Sequence, residues 1–81
     1  VSMKPAVDKG LFSRLSALRR RIAEEQHVPP FIIFTNATLR DMAVKRPRNR
    51  REMLRVAGVG EGKMERYGDM FLRVICEYLE E

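Results

Sequence analysis

The sequence predicts an all-α fold, a compact bundle of four or five helices around one apolar core. Apolar residues recur at spacings of three and four along most of the chain, which is the pattern of amphipathic helices. No stretch alternates apolar and polar residues between hairpin turns, as a β-strand would. At 81 residues the chain has the length of one small domain, which we place at residues 8–81, with residues 1–7 as a linker or an expression remnant.

The first helix is predicted from Asp8, which suits the N-cap, to Gln26. The three consecutive arginines of this helix point in different directions, because successive helical residues are about 100° apart. Glutamates four residues after Arg20 and Arg21 predict a local ion pair for each of these two arginines. The buried seam consists of large apolar residues at helical spacing: Leu11, Phe12, Leu15, Leu18 and Ile22.

A short apolar cluster, residues 31–34, follows Pro29 and Pro30, which end the first helix. The cluster is too short for a full helix and is predicted to form a single turn that fills the core. Not all four side chains can face inward. Core packing is the default expectation for any one aromatic, but an outward Phe31 would offer a stacking platform for an unpaired base, worth about 1–3 kcal/mol.

Two more helices are predicted before the glycine-rich stretch. The first is capped by Thr35 or Asn36, ends near Arg46, and turns Leu39, Met42 and Ala43 inward. The second starts at a motif that resembles a capping box, in which an asparagine is followed three residues later by a glutamate: Asn49 and Glu52.

The stretch from Val56 to Ile75 predicts a tight turn into a long final helix around which the others are arranged. Gly58 suits the position after a helix C-terminus, and Gly60 lets the chain re-enter a helix at once. Gly68 lies on the apolar stripe of this helix, which predicts that another helix approaches closely there. We expect the helix from about residue 61 to residue 79 to pack against all the others, with one core formed by Leu15, Leu18, Ile22, Leu39, Leu54, Phe71 and Ile75.

The net charge of +5 is concentrated in one segment, residues 45–55. This segment holds six basic residues and one acidic residue, whereas the other seventy residues hold ten of each sign. A localised excess of positive charge predicts a negatively charged partner, and nucleic acid is the common one for a small domain of this kind. The alternative interpretation is a solvated loop that keeps the protein soluble.

The sequence GVGEGK in the tight turn has a possible binding role. Unpaired backbone N–H groups at a helix N-terminus can hold a phosphate oxygen, with Lys63 nearby as a countercharge. The pattern is not a nucleotide-binding P-loop, because the glycine spacing differs and Met64 follows the lysine instead of a hydroxyl residue. The alternative is that the glycines only provide a short link between two packed helices.

Several classes of function are not indicated. The single cysteine, Cys76, excludes an internal disulfide and is interpreted as a small core or boundary residue. No run of about 18 apolar residues is present, so we expect a cytoplasmic protein with no membrane partner. The chain has no Walker A motif, no Asp-Glu box, and no set of spaced acidic residues for two-metal chemistry. We therefore expect neither a catalytic centre nor a metal site.

The stretches VPPFIIFTNATLRDMA and MLRVAGVGEGKMERYG, at their separation in this chain, resemble the HRDC domain of RecQ-type DNA helicases and ribonuclease D. The resemblance covers about residues 11–75 and implies a five-helix orthogonal bundle with a turn like that of helix-hairpin-helix proteins. It implies an accessory module of a 3′ to 5′ helicase, in which the parent protein, not this domain, uses ATP and magnesium. Phe31 matches a position where some bacterial members contact DNA with an aromatic residue.

We therefore predict a monomeric domain that contacts single-stranded or branched DNA and carries no cofactor of its own. Two alternatives stay open: a module that docks on the parent helicase core, and the RNA-contacting domain of a ribonuclease D. The predicted contacts are electrostatic for the arginines, phosphate-binding for the turn and stacking for the aromatic residue, and the residues concerned are Phe31, Arg48, Arg50, Arg51, Arg55, Gly58, Val59, Gly60 and Lys63.

Overall fold

The computed structural model describes residues 6–81, and within them every regular element is a helix. The helices are α1 (Lys9–Gln26), α2 (Pro30–Ile33), α3 (Asn36–Lys45), α4 (Arg50–Met53) and α5. Helix α5 consists of three segments that follow one another without a break: Glu61–Lys63, a π-helical turn at Met64–Gly68, and Asp69–Leu79. The predicted all-α class and the five-helix count are confirmed.

The ends of α1 are fixed by short-range hydrogen bonds. Asp8 is the N-cap, and its Oδ1 accepts a hydrogen bond from the Leu11 N–H at 3.2 Å. At the other end His27 adopts a left-handed conformation with φ of 57°, and its N–H bonds to carbonyls of the last turn. The predicted bounds of this helix are therefore confirmed. Residues 1–5 of the predicted linker lie outside the described residues, whereas Val7 already packs against the core.

One apolar cluster holds the five helices together, and α1 lies at its centre. Helix α1 packs against α2, α3 and α5, whereas α5 packs chiefly against α1 and α4. Helix α5 also contacts α2 through Lys63 on the Ile32 carbonyl and through Phe71 on the ring of the α2 C-cap, Phe34, so the predicted packing of the final helix holds for α1, α2 and α4. The largest fully buried apolar side chains come from every helix and include Leu11, Leu15, Ile33, Leu39, Met42, Met53, Phe71 and Ile75.

One prediction about an individual core residue was wrong. Leu54 is 42% exposed, and its neighbour Met53 is fully buried in its place. Helix α4 is a single turn, so only one of these two adjacent side chains can face the core. Gly68 is buried, the three atoms nearest to a Cβ built there belong to the Met64 side chain of the same helix, and the segment Met64–Gly68 packs against α4.

The turn between α4 and α5 depends on one of its glycines more than on the others. Gly58 has φ of +87°, and a Cβ added there would overlap Oγ1 of the buried Thr38. Gly60 is the N-cap of α5 with φ of −95° and ψ of 177°, an extended conformation that any residue adopts. No heavy atom lies within 4 Å of a Cβ built at Gly60. The positive φ expected of Gly58 is confirmed, but α4 ends at Met53, so Gly58 does not directly follow a helix as predicted. Gly60 is not required by backbone geometry.

Helix α4 begins with one half of the predicted capping box. The Asn49 Oδ1 accepts a hydrogen bond from the Glu52 N–H at 2.9 Å, as predicted. The Glu52 carboxylate instead accepts from the Arg48 N–H at 2.8 Å, one residue before the expected donor. None of the helices in residues 6–81 is long and apolar enough to cross a membrane.

Candidate nucleic-acid interface

Helix α2 presents two large apolar side chains to solvent. Phe31 is 62% exposed and Ile32 is 43% exposed, whereas the next two residues of the cluster, Ile33 and Phe34, are buried. The single turn starts at Pro30, after Pro29 in an extended conformation. This geometry rules out the default expectation of core packing for Phe31 and fits the outward alternative. An exposed apolar pair on a proline-stiffened corner is a ready contact surface.

Phe34 anchors this corner to the rest of the domain. Its ring meets the Phe71 ring edge to face, with 4.9 Å between ring centroids, and the Tyr67 ring at 6.1 Å. The Phe34 carbonyl accepts a hydrogen bond from Arg19 Nη1 at 2.9 Å. Partial burial lowers the pKa of Arg19 from its usual value, but a guanidinium group keeps its charge at any physiological pH. The anchor therefore fixes both the orientation of Phe31 and the position of a cation beside it.

A shallow depression of about 280 Å³ lies directly beside Phe31. It is open to solvent and combines an aromatic ring, a guanidinium group, a hydroxyl and an amide. Its lining residues are Arg19, Pro30, Phe31, Thr35 and Asn36.

Lys63 connects the glycine-rich turn to α2. Its ammonium group donates a hydrogen bond to the Ile32 carbonyl and lies 5.7 Å from the centroid of the Tyr67 ring. The Tyr67 hydroxyl in turn bonds to Gln26 Oε1 at 3.0 Å, at the end of α1. These contacts place the start of α5 next to the exposed pair of α2. We call Arg19, Phe31, Ile32 and Lys63 the α2 surface.

The three turn residues of the predicted phosphate site do not share one environment. Gly58 and Gly60 are exposed, but Val59 has its side chain in the core. The Val59 N–H is also engaged, since it donates to the Val56 carbonyl at 3.1 Å. The Val59 side chain therefore anchors the turn, and a contact between this residue and a ligand stays a prediction.

The arginines of residues 45–55, which we call the basic segment, are all exposed but differ in their partners. Arg50 forms a two-pronged ion pair with Asp69, with 3.0 Å between Nε and Oδ1. This pairing lowers the pKa of Asp69 and raises the pKa of Arg50. Arg51 forms no ion pair within residues 6–81, nor does Arg55. The charge of Arg50 is therefore partly compensated, whereas those of Arg51 and Arg55 are not.

Hydrogen bonds fix the backbone of the basic segment against α3 and α5. Lys45 Nζ bonds to the Arg55 carbonyl at 3.0 Å and to the Asp41 carboxylate at 2.9 Å. The Arg48 carbonyl accepts a weak hydrogen bond from the Cys76 thiol at 3.6 Å. Partial burial would raise the pKa of Asp41, but the bonds from Lys45 and the Ala57 N–H outweigh it, so this pKa is lowered.

The predicted site residues thus fall into two groups. The α2 surface is held by contacts with α1 and with the start of α5, whereas the basic segment is held by contacts with α3 and with the later part of α5. Phe31 and Lys63 belong to the first group. The four arginines belong to the second group.

Sequence reasoning missed cations outside the basic segment. The local ion pairs predicted for Arg20 and Arg21 do not form, and these arginines have no acidic partner among residues 6–81. Arg19 was not selected either, because its place beside Phe31 depends on a tertiary hydrogen bond. The one signal in the sequence was the run of three arginines itself.

The HRDC domain family model matches residues 8–75 of this chain. The chain belongs to the HRDC family. This HRDC domain is 46% identical over 71 residues to the ATP-dependent DNA helicase RecQ of Haemophilus influenzae, covering 88% of this chain and 12% of that protein. It is 48% identical over 68 residues to RecQ of Bacillus subtilis, covering 84% of this chain and 12% of that protein.

A solved structure gives the same assignment. HRDC domain 3 of D. radiodurans RecQ superposes with a TM-score of 0.83 at 38% identity, covering 88% of this chain and 93% of that one. The chain therefore corresponds to the HRDC domain of RecQ-type helicases, an accessory part that spans about 12% of the length of the two RecQ relatives.

Proposed function

We propose that this HRDC domain binds single-stranded or branched DNA for a RecQ-type helicase. The observation that carries the proposal is the α2 surface, where Phe31 and Ile32 are exposed, Arg19 lines the depression beside Phe31, and Lys63 bonds to the Ile32 carbonyl. An exposed aromatic ring flanked by positive charge is the arrangement that binds unpaired nucleotides, since the ring stacks on a base and the cations attract the backbone. The parent helicase would supply ATP and magnesium, and this domain would act without a cofactor.

In this mechanism one base stacks on Phe31 while Arg19 and Lys63 contact the adjoining phosphates. The unpaired N–H groups at the start of α5, beside Gly60, supply further donors for a phosphate oxygen. Stacking on an aromatic side chain tolerates any base, because every base has a π-face. Binding at this surface is therefore weak and independent of sequence.

The basic segment adds electrostatic attraction for the phosphates. Arg48, Arg51 and Arg55 are exposed and attract phosphates, whereas Arg50 must first exchange its bond to Asp69 for a phosphate. Because the basic segment and the α2 surface are held by different parts of α5, one strand at each would suit a branched substrate. Attraction of this kind weakens steeply as the salt concentration rises.

Fluorescence anisotropy with a labelled thymidine oligonucleotide over a series of salt concentrations tests the α2 surface. Phe31→Ala should weaken binding roughly 5- to 150-fold, which is the equivalent of about 1–3 kcal/mol of stacking, with little change in the salt dependence. Met70→Ala is the matched control, because Met70 is also an exposed apolar residue, at 41%, but lies away from α2. Equal losses in the two variants would contradict a specific role for Phe31.

The same assay distinguishes how much each arginine of the basic segment contributes to DNA binding. If they contact three or four phosphates, log affinity should fall with log salt with a slope near −2 to −3, on the basis of about 0.7 counterions per phosphate. Arg51→Ala with Arg55→Ala should flatten this slope. Arg50→Ala should change it less, and Asp69→Asn should strengthen binding by releasing Arg50.

The alternative function is docking on the helicase core, and the exposed apolar pair of α2 also suits a protein contact. The absence of DNA binding by the wild-type domain even near about 25 mM salt, where electrostatic binding is strongest, would favour this alternative. Stronger binding of structured RNA than of either DNA substrate would instead favour a ribonuclease D context.

A further inference from the structure

Helices α1 and α5 leave an open groove between them that the proposed DNA contacts do not use. Two adjoining depressions of about 400 and 450 Å³ form this groove, and they share Leu18, Arg21 and Val74. The remaining lining residues are Arg14 and Ala17 on α1 and Asp69, Met70, Arg73 and Glu77 on α5.

The floor of the groove is apolar and partly uncovered. Met70 is 41% exposed, Val74 is half-buried, and Leu18 closes the floor from the α1 side. Met70 therefore faces solvent, whereas Val74 packs on the edge of the core. Methionine adapts its shape to different partners, which suits a contact surface for a side chain that is not part of this domain.

The charged side chains along the groove differ in whether they have an ion-pair partner. Arg21 and Arg73 form no ion pair within residues 6–81, although Arg21 was predicted to pair locally. Arg14 pairs with the Glu81 carboxylate and Asp69 pairs with Arg50, whereas Glu77 has no ion-pair partner in residues 6–81. Two guanidinium groups and one carboxylate without a partner therefore flank the floor, which leaves the groove with an excess of positive charge.

We propose that this groove binds a short acidic, amphipathic segment of a partner protein. One apolar side chain of the segment covers Met70, Val74 and Leu18, and carboxylates on either side pair with Arg21 and Arg73. Guanidinium groups bind carboxylates through two parallel hydrogen bonds, which gives direction as well as attraction. From Met70 to Glu77 the groove measures about 10 Å, which accommodates two helical turns or about three extended residues.

The composition of the groove favours a peptide over nucleic acid. The carboxylates of Asp69 and Glu77 lie along the α5 side of the groove and would repel a phosphate backbone, which carries a charge at every nucleotide. The floor also lacks an aromatic ring on which a base could stack. A peptide can instead place its acidic residues only where the two free arginines lie.

The test is an NMR titration of the isotopically labelled domain with a pool of nine-residue peptides. Each peptide has one central Leu, Ile, Phe or Trp and one Asp or Glu on either side of it at varied spacing, with Ser, Gly or Ala elsewhere, and a matched pool has Asn or Gln in place of the two acids. We expect amide shifts centred on Leu18, Arg21, Met70 and Arg73 with the acidic pool, and at least tenfold weaker binding of the neutral pool. Arg21→Gln or Arg73→Gln should weaken binding roughly tenfold each, as expected for a lost charge-assisted hydrogen bond.

Two control variants make the outcome specific. Arg66→Gln removes an arginine of α5 that does not line the groove and should leave peptide binding unchanged. Phe31→Ala should also leave it unchanged, because the proposal does not depend on DNA binding. The proposal would be overturned by shifts confined to the α2 surface or the basic segment, by equal binding of the neutral pool, or by no binding at millimolar peptide. If a thymidine oligonucleotide shifted the amides of the groove rather than those of the α2 surface, the groove would be a nucleic-acid site, and this result would also overturn the proposal.

Discussion

Substituting alanine at Gly58 should destabilise the domain far more than the same substitution elsewhere in the turn. Gly58 has φ of +87°, where an L-residue costs about 1–2 kcal/mol because its Cβ crowds the backbone. The new Cβ would also overlap Thr38 Oγ1. Thr38 is 4% exposed and lies at the start of α3, with its Oγ1 at 3.1 Å from Thr35 Oγ1. It therefore cannot move aside freely.

The strain at positive φ and the overlap with Thr38 together set the expected loss in the free energy of unfolding. Overpacking of a buried site costs about 1–3 kcal/mol, so Gly58→Ala should lose about 2–5 kcal/mol in total. A domain of this size has a free energy of unfolding of about 4–12 kcal/mol. Gly58→Ala should therefore remove a large fraction of the stability, and with it the position of α5 against α2.

Urea titration monitored by circular dichroism at 222 nm measures this loss. Gly62→Ala is the matched control, because Gly62 lies in the first turn of α5 with no heavy atom within 4 Å of an added Cβ. This control should be neutral or stabilising by up to about 1 kcal/mol, since alanine is the better helix former. Adding Thr38→Ala to Gly58→Ala should recover the steric part of the loss in a double-mutant cycle. A loss for Gly58→Ala within about 0.5 kcal/mol of zero would refute the reasoning.

Two further predictions concern the core and the pH dependence of stability. Phe71→Ala should lower the free energy of unfolding by about 3–5 kcal/mol in the same titration, because Phe71 is fully buried. Leu54→Ala should lower it by less than about 1 kcal/mol, because Leu54 is exposed. Equal losses would contradict the observed exposure of Leu54. Hydrogen bonds from Tyr78 and the Leu11 N–H lower the pKa of Asp8, so the stabilisation from its carboxylate is present above about pH 4 and is lost as the pH falls through the folded-state pKa. Asp8→Asn keeps a capping oxygen and should flatten the decline in stability at acidic pH, and an unchanged decline would count against this role.

The sequence by itself determined the fold class, the ends of α1 and α3, the start of α4 and the position of the turn. These features depend on groups close together in the chain: the periodicity of the apolar residues, the Asp8 cap, the prolines before α2 and the glycine that adopts positive φ. A capping hydrogen bond spans three residues, so its partners are visible in a short stretch of sequence. The resemblance to HRDC domains rested on the same stretches and was confirmed.

Only the tertiary structure decided which side of the short helices faces the core. In a helix of one turn, such as α2 or α4, neighbouring apolar residues are about 100° apart, and the sequence contains no longer pattern that selects between them. Met53 is buried and Leu54 is exposed because of where α5 lies, and the same holds for Phe34 and Phe31. The exposure of Phe31 was therefore open at the level of sequence.

The partners of the charged groups were also decided by tertiary structure. Arg50 pairs with Asp69 across 19 positions of sequence, and Lys63 reaches the Ile32 carbonyl across 31. An exposed ion pair is worth little by itself, so local sequence gives no strong reason for one partner over another. The packing of the helices sets which acid lies within reach of which base, and that packing leaves Arg21 and Arg73 without an acidic partner in residues 6–81.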